Sequence, residues 1–319
     1  MINRRQLAAS VLALASGCAF AQAGTPTRLL VGFPAGGSVD GVARLVAEEM
    51  RSSMNRNIMV INKPGAGGRL VMTETKQSPA DGSTLVLTPV GAMVMIPYTV
   101  KKLGYDPIAD FAPIGRAASY SYAITSGPLV PATNLKDALV WLKAHPAKAT
   151  FGSPGSGGAQ HFAGILLSQE TSVPMEHAAY KGTGAAVLDL IGSNLALAIG
   201  TLPEMMEHHR SGKVSVLATT GAQRSRLLPD VPTLREAGLQ MAPVEGWFGL
   251  YGPSAMPAAE VQRWSKALQA ALAKPDVQEK IRALGVEPDF ANGAALAAQQ
   301  AADYKRWEAP IKASGFTND

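Results

Sequence analysis

Cysteine is nearly missing: Cys18 is the one cysteine in 319 residues, and it lies inside an apolar N-terminal run that reads as an export leader. A chain cut after that run would hold no thiol, disulfide or cysteine metal ligand, which excludes thiol chemistry. Aromatic residues make up only 6% of the chain, and no Lys/Arg run is longer than Lys101-Lys102. The electrostatic and stacking footprint of a nucleic-acid binder is therefore absent. Of the 29 Lys and Arg, Arg4 and Arg5 fall in the leader, and the rest outnumber the 24 Asp and Glu by about three, a mild bias. Beyond the leader no apolar stretch reaches membrane-span length, because Gly, Pro or a charge interrupts each candidate. There is no His-Glu-x-x-His, and the adjacent His208 and His209 would diverge by about 100° on a helix. Nucleotide motifs fail as well: no Walker lysine follows a glycine loop, and Gly155-x-Gly157 has Gln160 where a dinucleotide fingerprint needs its third glycine. No metal and no cofactor is expected.

The leader itself is basic at Met1-Ile2-Asn3-Arg4-Arg5, apolar over residues 7–20, and ends in Ala19-Phe20-Ala21 and Ala21-Gln22-Ala23, both acceptable small-x-small cleavage sites. Residues 1–23 are read as a signal peptide cleaved near Ala21 or Ala23, and the mature protein as a soluble periplasmic one. Arg4-Arg5 would suit either the general or the twin-arginine route. Ser16-Gly17-Cys18 faintly resembles a lipoprotein site, but Ala15 stands where that site prefers a larger aliphatic residue.

The remaining residues suffice for two ordinary domains. Strand-like runs alternate with helix-like ones: 28–33 then 39–51, 58–62 then 68–77, 84–88, and 134–145, 150–153, 159–170. The pattern continues as 176–180, 184–191, 195–200, 204–209 and 214–219. Such alternation argues for an α/β chain with mainly parallel sheets and crossover helices. Asn134 is the expected N-cap of its helix, which must stop at His145-Pro146. After Trp247-Phe248-Gly249-Leu250-Tyr251 the sequence reads as helical from Pro257 to the end, with breaks near 274–275 and 285–293. That block lacks sheet partners of its own, so it is expected to cover an earlier sheet. The chain would then cross between domains near 119–126 and 240–247, giving one domain of residues 24–122 and 244–319 and a second of 123–243. Two crossings define a hinge.

Two segments are built alike. Arg28-Leu29-Leu30-Val31-Gly32-Phe33 runs into Pro34-Ala35-Gly36-Gly37-Ser38, and Ala149-Thr150-Phe151-Gly152-Ser153 runs into Pro154-Gly155-Ser156-Gly157-Gly158. Each reads as strand, glycine turn and helix start, and a helix start offers unpaired backbone N–H groups and a partial positive charge to a carboxylate or phosphate. One such turn in each half suggests a cleft gripping an anion from both sides. Asp40, in the first helical turn, would repel that anion unless its carboxylate bonds amide or hydroxyl groups and shapes the loop. His161 is either a hydrogen-bonding wall of the site or a satisfied, partly buried histidine. An exported serine-dependent hydrolase using Ser156 and His161 is the alternative, although Pro154 stands where Gly-x-Ser-x-Gly needs glycine. The loops Thr88-Pro89-Val90-Gly91 and Tyr180-Lys181-Gly182-Thr183-Gly184 also follow strand ends, where ligands of such sheets bind; Lys181 is a site cation or simply a surface lysine. Gly157→Val is expected to block the anion site while leaving stability little changed.

With these residues in view, the chain resembles the Bug, or TctC-like, family of extracytoplasmic receptors of tripartite tricarboxylate transporters. The resemblance rests on Val31-Gly32-Phe33-Pro34-Ala35-Gly36-Gly37-Ser38-Val39-Asp40, Asn62-Lys63-Pro64-Gly65-Ala66-Gly67-Gly68, Asp81-Gly82-Ser83-Thr84-Leu85, and Tyr105-Asp106-Pro107 with Asp110-Phe111-Ala112-Pro113-Ile114. It continues through Gly155-Ser156-Gly157-Gly158 with His161, Tyr180-Lys181-Gly182-Thr183-Gly184, Leu228-Pro229-Asp230-Val231-Pro232-Thr233-Leu234 and Trp247-Phe248-Gly249-Leu250. It implies a two-domain periplasmic-binding-protein fold, type II-like, with a ligand cleft between the domains. It implies a monomeric receptor for a small organic acid or amino acid, serving the integral membrane subunits of a transporter or a membrane sensor. The ligand-binding residues it implies are Phe33, Pro34, Ala35, Gly36, Gly37, Ser38, Asp40 and Thr88 in the first half, and Ser153, Gly155, Ser156, Gly157, Gly158, His161, Tyr180, Gly200 and Thr201 in the second. Ala196 and Gly200 stand where family members often carry aspartate.

Overall fold

The computed structural model describes residues 26–317; the expected leader and its cleavage sites lie outside them. The first unit is β1 (Thr27–Val31), α1 (Ser38–Met54), β2 (Ile58–Asn62), α2 (Arg69–Gln77), β3 (Thr84–Pro89), α3 (Val90–Val94) and α4 (Ile96–Thr99). The long strand β4 (Phe111–Ser126) leads into α5 (Leu135–Ala144), β5 (Thr150–Ser153), α6 (Ala159–Thr171), β6 (Glu176–Ala179), α7 (Thr183–Ile191), β7 (Leu197–Thr201), α8 (Leu202–Arg210) and β8 (Ser215–Thr219). The chain returns through β9 (Glu245–Pro253) to α9 (Ala258–Leu272), α10 (Pro275–Ala283), β10 (Glu287–Asn292) and α11 (Gly293–Ala313).

Local sequence accounts for the main boundaries. In α1 the residues Val39, Val42, Ala43, Val46, Ala47 and Met50 are buried at helical spacing, and the helix ends where Asn55 takes φ 48° and returns its N–H to Arg51 and Ser52. Asn134 caps α5 by accepting from Asp137 N at 2.9 Å, as its sequence demands, and Asn292 caps α11 the same way from Ala295 N.

The sheet order is β2-β1-β3-β9-β4-β7-β5-β6, with β10 and β8 each pairing β4. It divides into two halves of one plan: β1 lies between β2 and β3, and β5 between β6 and β7, all parallel. Into each half the chain inserts one antiparallel strand from elsewhere. In the first half β9 runs between β3 and β4; in the second, the end of β4 runs between β7 and β8. β4 changes partners abruptly, with Ser121 opposite Glu245 of β9 and Tyr122 opposite Thr201 of β7.

The carboxy-terminal block is not wholly helical. β10 fills the break after Gly285 and pairs antiparallel with β4, Glu287 opposite Ser119. Its sequence, Glu-Pro-Asp-Phe-Ala-Asn, lacks an alternating apolar face and carries Pro288, which only an edge strand or bulge tolerates. The helices of the block do cover the first half: Trp264, Leu268 and Ile281 pack with Leu29, Val31 and Val46 in one core. A second core runs along the other face through both halves, from Leu30 and Met93 to Phe151 and Phe162, with Trp307 and Ile311 of α11 laid over it. Ala186, Leu190 and Met205 of α7 and α8 close a third over the second half. Truncating a fully buried ring such as Trp264 should cost about 3–5 kcal/mol.

Candidate functional site

The first turn leaves β1 at Phe33 and enters α1 at Ser38. Gly36 adopts φ +88°, a conformation that favours glycine. Its N–H donates to Asp40 Oδ2 at 2.9 Å, and the same oxygen accepts from Arg44 Nε at 3.0 Å. Asn62, at the end of β2, donates to Asp40 Oδ1 at 2.9 Å and to Phe33 O at 3.1 Å. Asp40 is only 3% exposed. Burial alone would raise its carboxyl, but the bonds from Arg44, Gly36 and Asn62 outweigh it and hold the group below the ordinary aspartate value. Asp40 is therefore a brace for the loop, facing back into it. Gly37 is the N-cap of α1 and no side chain caps the helix. The first intrahelical bond is Gly41 N to Gly37 O, so the N–H groups of Ser38, Val39 and Asp40 have no intrahelical acceptor.

The second turn repeats the shape with different bracing. Gly155 and Gly157 take φ +101° and +79°. Ser153 Oγ donates to Gly155 O at 2.8 Å and lies 2.8 Å from His177 Nε2, which makes that nitrogen the donor of the pair. Gly157 N donates to His161 Nδ1 at 3.1 Å, and the rings of His161 and His177 stack with centroids 3.9 Å apart. His161 is 5% exposed; burial, and then the neighbouring His177, push its pKa down to about 4. Burial also lowers His177. The imidazole at Gly157 is thus neutral, with its Nδ1 lone pair as acceptor. Gly158 is the N-cap of α6 without a side-chain cap, and the first bond is Phe162 N to Gly158 O. The amides of Ala159, Gln160 and His161 lack intrahelical acceptors, as at the first turn.

Both turns open on one cleft of about 680 Å³. Phe33, Pro34, Gly37 and Ser38 line it from one side and Gly155, Ser156, Gly157 and Gly158 from the other. Two helix starts of matching design thus face a common space, an arrangement suited to a small anion. Ser156 is exposed on the loop, and the Nδ1 of His161 is occupied by Gly157 N.

The model of the tripartite tricarboxylate transporter family receptor matches residues 42–316. The chain belongs to that family. It is 32% identical over 323 residues to the UPF0065 protein in the gbd 5' region of Cupriavidus necator, covering 99% of this chain and 97% of that one. Among solved structures it is similar to the periplasmic binding protein BugD, with 33% identity, a TM-score of 0.79 and coverage of 92% and 98% of the two chains. It is also similar to the R. palustris protein Rpa4515 with adipate, with 26% identity, a TM-score of 0.83 and the same coverage. The fold of this receptor is accordingly the two-domain periplasmic-binding-protein fold, and its family works in the periplasm.

Not every residue implied by the resemblance faces the cleft of this receptor. Thr201 lines it beside the eight turn residues. Ala35 and Gly36 are exposed and do not line the cleft, while Asp40, Ser153 and His161 brace the turns. Thr88 is buried beneath Pro89, Val90 and Gly91, which do line the cleft. Tyr180 points elsewhere: its ring lies over Gly152 and its hydroxyl donates to Asp189 at 2.8 Å. Gly200 is a packing glycine, since a Cβ there would fall 2.3 Å from Thr183 Cγ2. Lys181, exposed, stands at the cleft. Sequence reasoning missed Glu204, Ile96, Phe248 and Val286, all of which line the cleft. Tyr120 and Tyr122, read from sequence only as part of a crossing strand, form its floor with Phe248.

The expectation for Gly157→Val is overturned on stability. A Cβ there would lie 2.9 Å from Phe316 Cε1 on a backbone at φ +79°, so the substitution is strained and crowded as well as blocking. Gly37 is the clean position: its φ is −76°, and its Cβ would meet nothing nearer than Pro34 O at 3.8 Å.

Proposed function

We propose that this receptor captures a small carboxylate between its two lobes, holding the carboxylate on the helix starts of α1 and α6, and delivers it in a closed form to the membrane subunits of a tripartite tricarboxylate-type transporter. The lobes are residues 24–122 with 244–319, and 123–243, and they turn about the crossings of β4 and the entry to β9. The receptor acts as a monomer and without catalysis. The observation that carries this reading is the opening of two helix starts, neither capped by a side chain, onto one cleft. Family membership and the adipate held by Rpa4515 agree with it.

The magnitudes are sufficient. Four charge-assisted hydrogen bonds at roughly 1.5–3 kcal/mol each give about 6–12 kcal/mol before ordering and desolvation. Micromolar affinity needs about 8 kcal/mol. Backbone donors alone reach that only marginally, so contacts to the rest of the ligand and exclusion of water on closure supply the remainder. The test is a thermal-shift screen against organic acids: a bound acid at a hundred times its Kd should add about 2.7 kcal/mol of stability. Stabilisation by acids and not by their amides is the expected result. A panel in which no carboxylate raises the Tm would defeat the proposal.

A further inference from the structure

The walls of the cleft name a class of ligand, an inference that rests on the receptor reading above. Among the described residues, the charged side chains lining the cleft are Lys181 and Glu204. They are of opposite sign, both exposed, both on the second lobe, and Glu204 already accepts a hydrogen bond from Thr201 Oγ1 at 2.6 Å. The space carries no net charge from its side chains. Ser38, Ser156, Gln160, Thr183 and Thr201 add neutral polar groups, but the larger part of the lining is apolar: Phe33, Val90, Ile96 and Val286 on the walls, and Tyr120, Tyr122 and Phe248 on the floor.

The floor lies where β4 passes from one sheet to the other and is a packed aromatic group. Tyr120 meets Phe248 at 4.8 Å between ring centroids, tilted 42°, and Tyr122 edge-on at 5.5 Å. Burial raises both tyrosine hydroxyls far above neutrality, so they stay protonated and offer only neutral polar contacts. Pockets of several hundred Å³ lined by rings and aliphatic chains, with few polar groups, bind apolar bodies and use the polar groups for orientation. When the lobes close over such walls, a ligand charge beyond the one on the helix starts loses its water and meets a single exposed cation, Lys181, which Glu204 matches in number, so a second carboxylate is poorly compensated.

We infer that the ligand is a monocarboxylate with an uncharged apolar body, of the size and shape of an aromatic ring, seated on Tyr120 and Phe248 with its carboxylate on the turns at Gly37 and Gly157–Gly158. A short dicarboxylate or a tricarboxylate is the wrong shape for this charge pattern.

Calorimetry on the whole mature protein decides it, with benzoate and phenylacetate as one arm and malate, adipate and citrate as the other. The expected result is an aromatic acid bound at least tenfold tighter than any acid of the second arm. Malate, adipate or citrate binding as tightly or tighter overturns the ligand class and leaves the receptor reading in place. Binding by neither arm overturns the class, and a broader acid screen that also fails overturns the receptor reading with it. Phe248→Leu, which keeps the apolar volume but removes the ring, should weaken the aromatic acid by roughly five- to tenfold. Val286→Asn, beside the floor where β10 meets β4, should weaken it too. Unchanged affinity in both folded variants contradicts the proposed seat.

Discussion

At the first turn a buried carboxylate, Asp40, takes the Gly36 N–H; at the second a neutral imidazole, His161, takes the Gly157 N–H. The backbones are alike, each a strand end, a left-handed glycine and an uncapped helix start, yet one brace is an anion and the other uncharged. At each turn one glycine N–H is tied down by a side chain from the following helix, and the chemistry of the tie differs. The consequence is electrostatic. Asp40 sets a negative charge behind the first turn, offset by Arg44 at 3.0 Å, whereas nothing charged stands in the His161–His177–Ser153 group behind the second.

The largest separation of the two should come from deleting the braces. Asp40→Ala strands Arg44, Asn62 and the Gly36 N–H together and should cost about 3 kcal/mol in a urea melt, whereas His161→Gln, which keeps most of the buried volume, should cost less, because the polar partner it disturbs is the single Gly157 N–H. Equal losses would mean that the carboxylate has no special part.

Acid should then distinguish them by window. The folded pKa of His161 is depressed to about 4, below its unfolded value of about 6.5. Between those values the unfolded chain binds the extra proton, so stability is full above about pH 6.5 and falls as the pH drops towards 4, by up to about 1.4 kcal/mol per unit. Asp40 is also depressed, but from the carboxylate range, so its contribution is present above about pH 4 and is lost only below it. His161→Gln should make the stability profile between pH 4 and 6.5 shallower, with His177, also lowered by burial, supplying the remainder, and Asp40→Asn should leave that window unchanged. A melt series across pH in the two variants checks both.

A smaller effect is expected from the tail. Phe316 reaches from beyond α11 to stand edge-on to His161 at 4.9 Å and to Phe162 at 6.3 Å, so it props only the second turn. Phe316→Ala should lower stability by about 1–2 kcal/mol and weaken carboxylate binding only a few fold. Binding abolished with stability intact would show the ring to be part of the site.

The turns, the alternating elements and the sense of Asp40 could be read from sequence because each is local: a glycine pair after an apolar strand, an acid within one helical turn of the loop it braces. The floor of the cleft could not. Tyr120 and Phe248 are brought together only because β4 and β9 pair antiparallel, with Ala118 opposite Phe248 and Tyr120 opposite Gly246, and no spacing within either segment encodes that. Gly246 shows the cost of the arrangement, since a Cβ there would fall 2.2 Å from the Tyr120 ring. β10 escaped notice for a related reason, being an edge strand with a proline and no alternating face. Gly200 and Tyr180 misled because family pattern placed them at the ligand, whereas packing against Thr183 and a bond to Asp189 account for them here.

The most direct test of the central claim is calorimetric titration of Gly37→Val with whichever carboxylate binds the unaltered receptor. The substitution adds a branched side chain at the helix start in unstrained backbone and open space. The account predicts affinity lowered by at least about a hundredfold, close to 3 kcal/mol, with a Tm within a degree or two of the parent. Full affinity in a properly folded Gly37→Val would contradict it.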